Sequence, residues 1–181
     1  MENETSLSIN DITLISLFTA LMAVCSWISI PAAIPFTLQT FGVFLTVGLL
    51  GGKRGTLVVI VYLLVGAIGL PVFSGLTGGI GHLAGPTGGY MVGFVLSALV
   101  MWGFEKLRGR SMKVLTVSMI VGLLICYAFG TLWFVYVYSK NTGKIGILGA
   151  LGWCVFPYVL PDIVKIALAA LLTKRLRPFI K

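Results

Sequence analysis

Val114-Leu-Thr-Val-Ser-Met-Ile-Val-Gly-Leu-Leu-Ile-Cys-Tyr-Ala-Phe-Gly-Thr-Leu-Trp-Phe-Val-Tyr-Val-Tyr138 runs for 25 residues without one charged side chain. At about 1.5 Å per residue, a helix of this length reaches about 37 Å, more than the roughly 30 Å of a bilayer's hydrocarbon core. The rest of the chain agrees with this segment. Of 181 residues, 58% are hydrophobic and 10% are charged, and the mean hydropathy is +1.06. Soluble domains carry about 25% charged residues, so too few charges are present to cover a water-facing surface. A soluble enzyme and a disordered chain are both excluded by this balance. The expected fold is a single all-α integral membrane domain over residues 1–181.

Five further apolar stretches flank the first one, at about 12–30, 38–50, 56–70, 90–104 and 147–173. With 114–138 they make six expected spans. The stretch at 38–50 is short for a crossing, and 147–173 carries Pro157 and Pro161, which kink a helix or break it in two. The polar N-terminal segment contains Glu2, Glu4 and Asp11 but no Lys or Arg, unlike a cleaved signal peptide.

The net charge of +8 would suggest nucleic acid in a soluble protein. Here it reads as orientation. Lys53, Arg54, Lys106, Arg108, Arg110, Lys113, Lys174, Arg175, Arg177 and Lys181 follow alternate spans, ten in all, against Lys140 and Lys144 on the other side. By the positive-inside rule both termini are expected in the cytoplasm. Only Asp162 and Lys165 remain at membrane depth. They lie three residues apart, on one face of a helix. An ionisable group in a span costs at least about 2.5–3.5 kcal/mol on insertion scales and faces a cavity or a partner. Two readings follow, a ligand site or a self-neutralising pair that fixes packing.

Two connections on the outer side lack charge. The first is Pro31-Ala-Ala-Ile-Pro-Phe-Thr-Leu-Gln-Thr40, biased to extended backbone by its prolines. In the second, residues 69–89 hold eight Gly and two Pro. Such segments are expected to tuck into the protein and line a cavity. Neither Gly85-Pro-Thr-Gly-Gly89 nor Gly51-Gly-Lys-Arg54 has the ending of a phosphate-binding loop, so no ATP hydrolysis is expected of this chain. Cys25, Cys126 and Cys154 sit in apolar runs without metal-ligand spacing and read as packing residues, with no metal and no cofactor implied. Trp27, Phe36, Phe41, Tyr90 and Tyr158 flank the outer loops or Asp162 and are candidates for an apolar pocket wall. On the first span, Ser16, Thr19, Ala20 and Ala23 give small residues at helical spacing, a weak candidate docking face for another membrane helix.

Four blocks in order carry a resemblance: Pro35-Phe-Thr-Leu-Gln39, Gly69-Leu-Pro-Val-Phe-Ser-Gly75, Gly85-Pro-Thr-Gly-Gly-Tyr90 and Pro161-Asp-Ile-Val-Lys165. Together they resemble the BioY family, the biotin-specific substrate-binding (S) components of energy-coupling-factor (ECF) transporters. The resemblance implies a six-helix prokaryotic plasma-membrane protein that captures biotin from outside. It further implies a transmembrane coupling protein and two ATPase subunits as partners. The family's Ala-xxx-Ala docking pattern is matched only approximately, by Ser16-xxx-Ala20 and Thr19-xxx-Ala23.

Biotin presents two ureido N–H donors and a carbonyl, an apolar thioether ring and a carboxylate. Asp162 is suited to accept the N–H bonds, and Lys165 to donate to the ureido oxygen or pair with the carboxylate; both options stay open. Thr37, Gln39 and Tyr90 are expected as further polar contacts, with Ser74 and Gly79 from the second loop. Phe36, Phe41, Trp27 and Tyr158 are expected to pack on the ligand, with the first loop as a lid. Two rival readings are an intramembrane serine hydrolase using Ser74 and His82, and a membrane scaffold without a ligand.

Overall fold

A computed structural model describes residues 8–32 and 34–180. Glu2, Glu4 and Lys181, counted in the charge balance above, lie outside the described residues, as does Ala33 of the first loop. Among the described residues eight α-helices follow one another as α1 (Ile9–Trp27), α2 (Gln39–Leu50), α3 (Gly52–Ala67), α4 (Ile80–Ala84), α5 (Gly88–Arg108), α6 (Met112–Asn141), α7 (Ile147–Cys154) and α8 (Phe156–Leu176). A two-residue antiparallel ribbon, β1 (Ser29–Ile30) with β2 (Phe36–Thr37), closes the first loop. Helices α1, α5 and α6, and α8 with the short 3-10 turn after it, are long and apolar enough to cross a membrane.

Helix boundaries follow local chemistry that hydropathy does not see. The first helix begins at Ile9 because Ser8 and Asp11 form a capping box, with Asp11 N–H donating to Ser8 Oγ at 3.1 Å and Ser8 N–H to Asp11 Oδ2 at 3.1 Å. The last apolar stretch divides at Val155 into α7 and α8, with Pro157 in the first turn of α8 and Pro161 inside it.

The short apolar helix α2 is the centre of the molecule. Ten of its residues are buried, on every side of the helix, which is why its sequence is apolar all round. Contacts fix the directions of its neighbours. Gln39 at the start of α2 reaches Tyr62 near the end of α3, so α3 turns back along α2, through Gly51 at φ +84°. Thr40 bonds to Asp162, while Gly48 abuts Thr173, so α8 runs parallel to α2. Asp11 pairs with Arg54 and Trp27 reaches Pro71, so α1 and α3 also run side by side in one direction. Helices α5 and α6 form an antiparallel pair in which Gly93 faces Cys126 and Gly130 faces Tyr90. No side chain beyond glycine fits at Gly130, because a Cβ there would enter the Tyr90 ring.

These directions create two ends. One gathers Asp11, Arg54, Glu105, Arg110 and Arg177. The other gathers the two uncharged loops.

The loops depart from the burial expected of them. In the second, Gly69, Leu70, Pro71 and residues 75–78 are exposed, and before α5 begins at Gly88 only Phe73 and Ser74 are buried. Three of its glycines serve turning: Gly69, Gly75 and Gly79 have positive φ, and Phe73 N–H bonds Thr77 O at 2.9 Å while Gly79 N–H bonds Gly66 O at 2.7 Å. Phe73, fully buried, plugs this loop onto the helices beneath Tyr62 and His82 and fits only because residue 66 is Gly. In the first loop Ile34 and Thr37 are buried, whereas Ile30, Pro31 and Ala32 are exposed.

Candidate functional site

Helix α8 has a strict inner face: Tyr158, Asp162, Lys165, Ile166, Ala169 and Thr173 are buried, and the residues between them are mostly exposed. The expected pair therefore points inward. Asp162 is 2% and Lys165 5% exposed, and Lys165 Nζ donates to Asp162 Oδ1 at 2.8 Å. Two further donors arrive from other helices. Thr40 Oγ1 of α2 donates to Asp162 Oδ1 at 2.9 Å, and the Tyr127 hydroxyl of α6 donates to Asp162 Oδ2. A carboxylate has about four lone-pair sites. Three protein donors leave one, on Oδ2, for a further N–H. Burial of both charges is tolerated because each is paired and hydrogen-bonded.

The pair opens onto a cavity between the first loop and helices α2, α5, α6 and α8. Its wall combines Thr40, Asp162 and Lys165 with apolar or sulfur-bearing groups such as Met91, Phe94, Cys126 and Cys154.

Of the residues expected at the site, Thr37, Gln39, Ser74, Tyr90, Tyr158, Asp162 and Lys165 line this cavity. Phe36 joins them indirectly: Lys165 Nζ lies 4.3 Å above its ring, which stacks on Tyr158 at 6.0 Å. The Tyr158 hydroxyl donates to the Ile34 carbonyl, so the first loop is fastened to α8 at two adjacent points. Thr37 and Gln39 are already engaged with each other, through Thr37 Oγ1 to Gln39 Oε1 at 3.1 Å. Gln39 Nε2 donates to Tyr62 at 2.8 Å, whose hydroxyl donates to Val72 O at 2.9 Å. This chain of bonds ties both loops to α2 and α3. Tyr90 shares a hydrogen bond with Thr131 at 3.0 Å.

Like Phe36, three further expected residues do not line the cavity. Trp27 is 44% exposed, and its indole donates to Pro71 O at 2.9 Å, clasping the end of α1 to the second loop from outside. Phe41 is half-buried on α2 beside the core. Gly79 is the N-cap of α4 at φ +96° and serves the turn. On α1, Ser16 and Ala20 are exposed, whereas Thr19 and Ala23 are buried and unavailable to another helix.

Tyr127, Thr40 and Thr87 of the wall were not expected, nor were the cavity positions of Cys126 and Cys154. Tyr127 stands in the middle of the longest apolar run, where nothing in the sequence sets it apart. Only its distance from the span ends, where tyrosines usually sit, offered a signal. His82 stacks on Phe73 at 5.4 Å with Nδ1 3.4 Å from Thr77 Oγ1, and no hydrogen bond joins it to Ser74 among the described residues. The nucleophile–base pair of a serine hydrolase is not assembled.

The sequence profile of the BioY family matches residues 1–181. The chain is 44% identical over 162 residues to the biotin transporter BioY of Thermotoga maritima, covering 89% of this chain and 92% of that protein. To the probable biotin transporter BioY of Pyrococcus horikoshii it is 39% identical over 168 residues, 92% of this chain and 96% of that one. Among solved structures it resembles the S-component for biotin from an ECF-type ABC transporter, with a TM-score of 0.82 and 26% identity over 96% of this chain and 95% of that chain. With a family match along its whole length and relatives well above 30% identity, the chain belongs to the BioY family.

Proposed function

We propose that this protein is the membrane-embedded component that captures biotin for an ATP-driven importer. The observation that carries this reading is the Asp162–Lys165 pair, held by donors from three helices and opening onto a cavity of mixed polar and apolar lining, in a chain whose relatives are biotin transporters. The open acceptor position of Asp162 receives one ureido N–H. A second N–H is accommodated when a protein donor yields its place, and Lys165 is the mobile one, with four rotatable carbons and three donor hydrogens. Charge-assisted hydrogen bonds in a site with little water are strong and selective for geometry. Phe94, Met91 and the two thiols offer the apolar surface for the thioether ring.

In this reading the protein crosses the plasma membrane six times with both termini in the cytoplasm, so the cavity faces outward and the cation-rich end inward. Release of the tightly fastened first loop admits biotin. A coupling protein and two ATPase subunits supply the energy, with exposed Ser16-xxx-Ala20 as the part of α1 open to a partner helix. Isothermal titration of the purified protein with biotin tests the reading. Saturable one-site binding is expected; its absence from folded protein overturns the proposal.

A further inference from the structure

A second cleft lies at the cation-rich end, between the last turn of α5 and the first turns of α6. It is lined by Phe104, Leu107, Arg108, Lys113, Val114 and Val117. Its chemistry is divided. Arg108 and Lys113 form a cationic rim, and neither makes a salt bridge or side-chain hydrogen bond among the described residues. The nearest acid along the chain, Glu105, is turned away, accepting from Gly52 N–H at 2.8 Å and facing Arg110 at 3.5 Å. Lys113 also stands in the first turn of the 30-residue α6, whose positive helix end adds to the rim. Below the rim the wall is apolar and open: Leu107 is 83% and Val117 49% exposed, and the exposed strip continues along α6 through Ile120 and Leu124.

We propose that this cleft binds one anionic phospholipid, with its phosphate between Arg108 and Lys113 and an acyl chain along Val114, Val117 and Ile120. A soluble anion would use only the rim. An uncharged lipid would use only the strip. An anionic amphiphile uses both, and clusters of Lys and Arg next to spanning helices attract such headgroups. The inference rests on the membrane reading of the fold and on neither biotin nor the direction of insertion.

Native mass spectrometry of the full chain, exposed in detergent to equal phosphatidylglycerol and phosphatidylcholine, tests it. Wild type is expected to retain phosphatidylglycerol at least fivefold over phosphatidylcholine. Arg108→Gln with Lys113→Gln is expected to weaken that retention about 25-fold, since each cation near an anionic headgroup is worth about fivefold in affinity. Lys140→Gln with Lys144→Gln, at the opposite end, is expected to leave it unchanged. Equal retention of the two lipids, an unaltered double variant, or displacement by inorganic phosphate alone overturns the proposal. Biotin titration of the same Arg108/Lys113 variant reports separately on the transport reading and is expected to match wild type.

Discussion

The two ends of the molecule each hold an ion pair of similar length in different surroundings. At the cavity, Lys165 and Asp162 meet at 2.8 Å with side chains 6% and 3% exposed. At the cation-rich end, Arg54 and Asp11 meet at 2.6 Å, but Arg54 is 43% exposed. Distance does not separate them; solvent does. Exposed pairs are screened and contribute about 0–1 kcal/mol. Removing one partner of a buried pair leaves an uncompensated charge and costs about 3–5 kcal/mol. The exposed pair therefore trims the fold, while the buried pair is one the surrounding packing depends on. The same contrast runs through the neighbours: Asp162 accepts from three helices, and Glu105 mainly fastens the α2–α3 turn through Gly52.

The contrast can be broken most forcefully at the buried pair. Lys165→Met should destabilise the protein by about 3–5 kcal/mol, read as a lowered melting temperature in detergent. Asp162→Asn and Lys165→Met should each weaken biotin binding at least tenfold, the equivalent of about 1.4 kcal/mol, by isothermal titration. Wild-type affinity in both variants would make the pair structural. Gly130→Ala should drive the Tyr90 ring into the cavity and cost about 1–3 kcal/mol of stability by overpacking. The measurement is thermal unfolding beside biotin affinity, and both should fall.

Tyr127→Phe sharpens the comparison without removing charge. Hydrogen bonds to charged groups are worth about 1.5–3 kcal/mol, so loss of this donor from Asp162 should change biotin affinity by roughly tenfold while the helix packing persists. An unchanged titration would mean the hydroxyl has no part in orienting the carboxylate. The smallest effect belongs to the exposed end. Arg54→Gln should shift stability by less than about 1 kcal/mol, with a difference that shrinks as salt is raised, and should leave biotin binding intact.

Much of this was legible along the chain. Charge scarcity at membrane depth isolated Asp162 and Lys165, because desolvation makes such residues rare unless they have a task. Pro157 and Pro161 announced the division of the last stretch, which falls at Val155. The loops were less legible. Lack of charge suggested burial, yet turns built on glycine satisfy much of the backbone of the second loop and leave it largely exposed. Proximity to a loop in sequence places Trp27 near the pocket, whereas its indole reaches outward to Pro71.

What the amino-acid order alone determined is the solvent of the protein, the apolar stretches that become its helices, and the position of its paired charges. All are local properties, set by hydropathy, by residue spacing and by the backbone limits of proline and glycine. What only the tertiary structure decided is the company those charges keep. Tyr127 and Thr40 stand 35 and 122 residues from Asp162 along the chain, and they reach it because α2 runs through the centre with α6 and α8 beside it. Hydrogen-bond partners of that separation follow from packing, and no one-dimensional pattern encodes them.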